Sequence, residues 1–172
     1  MSNRLLLAIG QFEPNSTAVD FTIGLAASAR SEVQVFHVRE LPASLRVTPL
    51  ETVKEARILV DETVRRLQTA GVKAQGEACS DRETYVARRI VDQASEKSCN
   101  AIILGSLRLR GFDSIMGHGT RERVLKLSSL PVIVTPPALD TNKLKTAHFR
   151  RRVPGRFHKG RGGFVPPGPV NS

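Results

Sequence analysis

The stretches ARRIVDQASEKSCNAIILGS (residues 87–106) and RERVLKLSSLPVIV (residues 121–134) decide the fold of this chain. In each of them, apolar residues at helical spacing precede a short apolar run, AIIL at 101–104 and PVIV at 131–134. Short apolar runs bounded by Gly or Pro are typical of strands that helices cover on both faces. Both stretches therefore predict a helix followed by a buried strand.

Three further strand-like runs precede these stretches, with helical segments between them. They occupy residues 4–9, where RLLLAI ends at Gly10, residues 33–38 (VQVFHV) and, more weakly, residues 72–79. The resulting order, β-α-β-α-β-α-β-α-β, predicts right-handed crossovers and a five-stranded parallel sheet with helices on both faces. Such sheets bind ligands beyond the carboxyl ends of the strands, where the strand order reverses. We therefore expect a site near Gly10 and Gly105.

Two capping boxes and one glycine set the predicted boundaries of the middle helices. Thr48 and Glu51 have the spacing of a capping box, which predicts that the second helix begins there. Gly71 predicts the end of that helix. Ser80 and Glu83 have the same capping spacing and predict the start of the third helix.

The positive charge of the chain is concentrated at its C-terminal end. The formal net charge is +10, and residues 138–172 contain eight Lys/Arg against one acid, so they carry +7. This asymmetry predicts a domain over residues 1–137 and a basic tail over residues 138–172 that interacts with an anionic partner.

Other features of the composition point to a cytoplasmic, reduced protein. No apolar run approaches the roughly 20 residues of a transmembrane helix. Cys79 and Cys99 lack the spacing of metal ligands, so we expect neither a metal site nor a disulfide.

Motifs of several α/β families are missing from the chain. It has no Gly-Lys-Ser/Thr phosphate loop, no dinucleotide fingerprint after the first strand and no Gly-x-Ser-x-Gly elbow. Gly10 stands where a receiver domain needs a carboxylate. His118 is the one acid–base candidate in the glycine-containing loop, and a lone loop histidine is more often a solvated side chain. We therefore expect no catalytic residues and do not interpret the chain as an enzyme.

The C-terminal half resembles the universal stress protein family. The two stretches quoted first, RGF at 110–112 and VFHVRE at 35–40 are similar to the corresponding segments of that family, and the similarity covers about residues 4–136. The resemblance implies the family's nucleotide-binding α-hydrolase-like fold, with strand order 3-2-1-4-5. It also implies a homodimer through the last strand, whose edge here is residues 132–135.

The same resemblance implies a nucleotide site, but its landmarks are altered. ATP-binding members carry Gly-x2-Gly-x9-Gly-Ser/Thr after strand four, where glycines let backbone N–H groups approach phosphates. Gly105 matches the first glycine, whereas Arg108 occupies the position of the second. An ungapped alignment puts His118 and Gly119 at the last pair. A one-residue insertion would restore that pair as Gly119-Thr120.

Gly10 replaces the acidic residue that contacts the nucleoside in the family. Two interpretations remain, a modified anion site and a degenerate loop whose glycines serve only the turn, and the second is favoured. ATP or AMP is the candidate cofactor, with weak or absent binding. The candidate residues are Gly10, Gly105, Ser106, Arg108, Gly117, His118, Gly119, Thr120 and Arg121.

The tail interleaves cationic and aromatic side chains. Arg-Gly-Gly at 161–163 is similar to segments that bind RNA through phosphate charge and base stacking. Alternatives are an acidic protein, an anionic membrane surface and a solvated extension without function. The candidate polyanion-binding residues are Phe149, Arg150, Arg151, Arg152, Arg156, Phe157, Lys159, Arg161 and Phe164.

These features together predict a cytoplasmic regulatory or adaptor protein of the universal stress type. It would homodimerise, bind an adenine nucleotide weakly or not at all, and dock on a polyanion through its tail. Two alternatives stay open. One is a competent ATP-binding universal stress protein, and the other is an RNA- or ribosome-associated accessory factor in which the domain is a scaffold.

Overall fold

The computed structural model describes residues 3–10, 17–42, 48–105 and 119–135. Within them, five strands and four helices alternate along the chain. The strands are β1 (Arg4–Ile9), β2 (Glu32–Leu41), β3 (Ala74–Arg82), β4 (Ala101–Leu104) and β5 (Val132–Val134). The helices are α1 (Thr17–Ala29), α2 (Val53–Thr69), α3 (Val86–Glu96) and α4 (Thr120–Leu127), with a 3₁₀ turn at Glu83–Tyr85 before α3.

The five strands form one parallel sheet in the order β3-β2-β1-β4-β5. β1 lies at the centre, where Leu5 pairs with Val33 of β2 on one side and with Ala101 of β4 on the other. The predicted fold class and strand order are therefore confirmed. The strand order reverses between β1 and β4.

Both faces of the sheet are covered, because successive side chains of a strand point to opposite faces. Leu5 and Leu7 of β1 belong to the core that includes Val19 of α1 and Val60 of α2. Leu6 belongs to the opposite core. That core also contains Phe36 of β2, Ile90 and Ala94 of α3, and Val124 of α4. Burial on both faces explains why β1 and β4 read as continuous apolar runs rather than alternating ones.

The predicted start of α2 at Thr48 is wrong. The helix begins at Val53, and its capping box uses Thr52 and Glu55. The Glu55 N–H donates to Thr52 Oγ1 at 3.1 Å, and the Thr52 N–H donates to Glu55 Oε2 at 2.7 Å. Glu51 is buried against His37 instead of capping the helix. Thr-x-x-Glu occurs twice at this point of the sequence. The first glutamate lies against the buried imidazole, so the second one forms the capping box.

The predicted capping box at Ser80 and Glu83 is also wrong, because β3 continues to Arg82 rather than ending at residue 79. Ser80 and Asp81 pair with β2 in the ladder. The Asp81 carboxylate accepts a hydrogen bond from Arg89 Nε at 2.6 Å. α3 begins after the 3₁₀ turn, and no side chain of the described residues caps it. The two residues expected to cap the helix thus lie elsewhere, Ser80 in the strand pairing and Glu83 in the 3₁₀ turn.

The predicted end of α2 at Gly71 is confirmed. Gly71 adopts a left-handed φ of 81°, and its N–H donates to the Gln68 carbonyl at 2.9 Å. α1 and α3 are followed by Arg30 and Ser98, which adopt φ values of 49° and 51° without being glycine. All three helices therefore turn back toward the sheet through one left-handed residue.

Candidate functional site at the carboxyl edge of the sheet

The structure places Gly10 and Gly105 on the same edge of the sheet. They follow the adjacent strands β1 and β4, in which Ala8 pairs with Leu104. Gly10 is exposed and Gly105 is half-buried. The two predicted positions therefore lie beside the reversal of strand order, where α/β sheets bind their ligands.

Gly10 has room for a side chain. A Cβ atom built on it meets no atom of the described residues within 4 Å, and its φ lies outside the left-handed region. Neither crowding nor backbone conformation therefore requires glycine here. An acidic residue at this position would fit without rearranging the described residues around it.

The start of α4 carries the other candidates that the structure describes. Gly119 is the N-cap residue, Thr120 is the first helical residue and Arg121 is the second. Arg121 Nε is buried, and no described residue accepts a hydrogen bond from it. The first turn of a helix also presents partial positive charge. Ser106, Arg108, Gly117 and His118 lie outside the described residues, as does the whole tail.

Thr135 fixes the end of β5 to the end of β4. Its N–H donates to the Leu104 carbonyl at 2.9 Å, and its hydroxyl donates to the same oxygen at 3.3 Å. Thr135 is 1% exposed. The sequence analysis did not assign it a role, although a threonine that ends an apolar run needs a hydrogen-bond acceptor once it is buried.

A buried histidine connects three parts of the same edge. Nδ1 of His37 lies 2.9 Å from the carbonyl oxygen of Ile9, the last residue of β1. Nε2 lies 2.7 Å from Oε2 of Glu51, just before α2. This pair was not predicted from the sequence. The signal was a histidine inside the apolar run VFHV, because a buried imidazole needs partners for its nitrogens.

Two carboxyl groups on the β2–β3 side of the edge have opposite pKa shifts. Desolvation raises the pKa of Glu40, the Glu83 carboxylate adds to the rise, and His37 opposes it. The hydrogen bond from Arg89 lowers the pKa of Asp81, and the N–H of Arg82 contributes in the same direction. Asp81 is thus the firmly ionised member of this group.

The described residues contain no cluster of three or more His, Cys, Asp or Glu side chains that could hold a metal ion. Cys79 and Cys99 are free thiols, and burial raises the pKa of both.

None of the helices in residues 17–42, 48–105 and 119–135 is long and apolar enough to cross a membrane.

The sequence model of the universal stress protein family matches residues 1–136. The chain belongs to the universal stress protein family. Universal stress protein YxiE of Bacillus subtilis (strain 168) is 27% identical over 146 residues, with coverage of 78% of this chain and 99% of YxiE. The family expected from the residue motifs is therefore confirmed.

Solved structures of the family share the fold of this universal stress protein. A family member from Burkholderia pseudomallei is 24% identical, with a TM-score of 0.60 and coverage of 78% of this chain and 96% of that chain. The universal stress protein of Archaeoglobus fulgidus in complex with dAMP is 20% identical, with a TM-score of 0.57 and coverage of 77% and 96%. At these identities, the likeness is one of fold.

Proposed function

We propose that this universal stress protein is a regulatory or adaptor protein with a weakened adenine-nucleotide site and a basic tail that docks on an anionic partner. Gly10 is the observation that supports the weakened site. It follows β1 at the reversal of strand order, is exposed, and has room for the side chain that it lacks. The resemblance to ATP-binding members of the family implies an acidic residue at this position.

The missing carboxylate has a predictable effect on affinity. A hydrogen bond that involves a charged group contributes about 1.5–3 kcal/mol, and about 1.4 kcal/mol corresponds to tenfold in the dissociation constant. The loss of one such contact to the nucleoside weakens binding by at least about tenfold. For the wild type we predict dissociation constants no tighter than about 10 μM.

The start of α4 supports a residual affinity for phosphate. Gly119 and Thr120 stand where a helix begins, and Arg121 has a buried Nε without a hydrogen-bond partner among the described residues. Backbone N–H groups at a helix start together with a guanidinium suit an anion. The complex of the Archaeoglobus fulgidus relative with dAMP makes adenine nucleotides the first ligands to test.

The test is calorimetry with ATP and with AMP, in the presence of magnesium, on three forms of the full chain. These are the wild type, Gly10→Asp and the matched control Gly10→Asn, which has the same size without the charge. We expect at least about tenfold tighter binding for Gly10→Asp than for Gly10→Asn. Sub-micromolar binding by the wild type would instead support a competent ATP-binding protein. Equal binding by both variants would mean that Gly10 is not the cause of weak binding.

The proposal includes a cytoplasmic location, a homodimer and no catalytic activity. The last point is supported by the sequence, which lacks the phosphate-loop and hydrolase-elbow motifs. The basic tail is supported by its charge of +7 over residues 138–172. The alternative of an RNA- or ribosome-associated factor makes the same tail the main functional element, and its mark would be tail-dependent, salt-sensitive association with RNA.

A further inference from the structure

His37 is hydrogen-bonded on both sides of its ring and is shielded from solvent. It is 2% exposed, and its partner Glu51 is 7% exposed. Arg39, two residues further along β2, donates from Nε to the main-chain oxygen of Glu51 at 2.7 Å. Glu51 is therefore held to β2 through both its side chain and its main chain, and His37 extends the connection to Ile9 of β1.

The geometry fixes the number of protons that these bonds require. The carbonyl oxygen of Ile9 only accepts hydrogen bonds, so Nδ1 of His37 carries a proton. An ionised carboxylate also only accepts, so the contact of 2.7 Å between Nε2 and Glu51 requires one more proton between them. Without that proton, one ring nitrogen would face an oxygen with its lone pair, either the buried Glu51 carboxylate or the Ile9 carbonyl, so one of the two bonds would be lost.

We propose that His37 and Glu51 form a proton-dependent clasp, which holds the entry of α2 to the end of β1 and opens when the shared proton is lost. Ile9 immediately precedes Gly10, so opening the clasp loosens the strand end at the candidate site. The clasp is defined by bonds within the chain, and its test does not depend on nucleotide binding.

Neighbouring charges have opposite effects on a positive His37 ring in the clasp. On β2, the Glu40 carboxylate attracts a protonated His37, and Arg39 opposes a positive ring. Glu83 of the 3₁₀ turn acts on Glu40. β3 places the uncharged Ala78 beside His37 in the ladder, and β1 contributes the Ile9 carbonyl. Glu51 is thus the only carboxylate of the described residues that bonds directly to the ring.

Amide hydrogen exchange of the full chain measures the opening. The N–H of Ala56 donates to the Thr52 carbonyl at 3.1 Å in the first turn of α2, next to the clasp. Above about pH 6.5, a solvated imidazole is neutral, so opening releases one proton. The opening constant of Ala56, corrected for the intrinsic exchange rate, should then rise with pH, by at most about tenfold per pH unit because one proton is released. Between pH 6.5 and 8.5 we expect a clear rise, of at most about a hundredfold.

Two glutamine variants test the role of the proton. In Glu51→Gln, the amide group can donate to the lone pair of neutral His37, so every bond forms without an extra proton. Its opening constant should change by less than about twofold over the same range. Glu55→Gln is the matched control, since it removes the same charge from the same helix start and glutamine preserves the capping box. It should retain the wild-type rise.

The N–H of Val72, which bonds to Leu67 at the far end of α2, is the internal reference and should not follow the rise. A pH-independent opening of Ala56 in the wild type, or an undiminished rise in Glu51→Gln, overturns the proposal. If Glu51→Gln does not fold, ¹⁵N NMR of the His37 ring decides. The clasp is supported if a proton bridges Nε2 and Glu51 and disappears over the pH range in which Ala56 exchange accelerates. The clasp is overturned if the ring lacks that proton at pH 6.5.

Discussion

Gly76 sets the distance between α2 and β3. A Cβ atom at this position would lie 2.3 Å from Cγ1 of Val60 and 2.7 Å from Cγ2 of Val64. Real side chains do not approach so closely. The helix can pack at this distance from the strand only because residue 76 has no Cβ atom. The valines that cover Gly76 belong to the same core as Val35 of β2.

Replacing Gly76 with Ala should destabilise the protein by about 1–3 kcal/mol, because Val60 and Val64 must leave their preferred positions. Gly24→Ala is the matched control. Gly24 is exposed within α1, and a Cβ there meets no atom within 4 Å. Alanine in a helix is favoured over glycine by about 0.5–1 kcal/mol, so this variant should be more stable than the wild type. Urea unfolding of both variants measures the difference, and a neutral Gly76→Ala would contradict the packing argument.

Two positions can carry the same sequence pattern, and the pattern alone does not show which of them forms the structure. Thr48 and Thr52 are each followed three positions later by a glutamate, so both predict a capping box. What selects Thr52 is the contact of Glu51 with His37, which lies 14 positions earlier. A histidine within an apolar run indicates that its ring nitrogens need hydrogen-bond partners, but the sequence does not identify the partner residues.

Among the elements, those buried on both faces were the most predictable. β1 and β4 are covered by helices on each side, and their apolar runs were enough to place them. β3 lies at an edge of the sheet and has exposed polar residues, so its extension to Arg82 was not visible as a pattern. Residues 106–118 contain four of the nine candidate site residues, and the expected spacing of the family is already lost there in the sequence.

β5 is the other edge of the sheet, and its hydrogen bonds show which groups face outward. The Pro131 carbonyl accepts from Ile102, and the Thr135 N–H donates to Leu104, both at 2.9 Å. Because backbone groups alternate sides along a strand, the N–H and C=O groups of Val132 and Val134 point away from β4. An apolar edge with such groups invites pairing with a second strand.

Val134→Pro should abolish the proposed homodimer. Proline removes one outward N–H, leaves the bond from Thr135 to Leu104 in place and is tolerated on an edge strand. Light scattering at tens of micromolar should show a dimer for the wild type and a monomer for this variant. Val134→Thr keeps the N–H and the branched shape and should remain dimeric. A monomeric wild type, or a dimeric Val134→Pro, would show that β5 is not the interface.

At the scale of the whole molecule, residues 138–172 carry +7 of the net charge of +10, and Thr135, the last residue that the structure describes, bonds to the end of β4. We expect the full chain to bind a generic single-stranded RNA through this tail. Phosphate contacts release counterions, so the logarithm of the affinity should fall with the logarithm of salt, by about 0.7 per contacted phosphate. Removing residues 138–172 should abolish binding, measured by fluorescence anisotropy over a salt series.

Two variants of the full chain separate charge from stacking. Replacing Phe149, Phe157 and Phe164 with Ala should weaken binding and leave the salt slope unchanged, since stacking releases no ions. A tail with the same composition in scrambled order controls for charge alone. If the scrambled tail binds equally well, the aromatic spacing has no role. If the shortened chain still binds, the tail is not the site, and the start of α4 becomes the candidate.

The central position of β1 affects how this protein emerges from the ribosome. Of the five described strands, β1 is synthesised first, yet Leu5 has both of its neighbours only after Ala101 of β4 has been made. At translation rates of about 5–20 residues per second, that delay is about 5–20 s. Throughout it, an apolar strand edge is available to chaperones and to neighbouring nascent chains. The yield of folded protein should therefore depend on how quickly translation reaches β4, and slow codons before residue 101 should lower it.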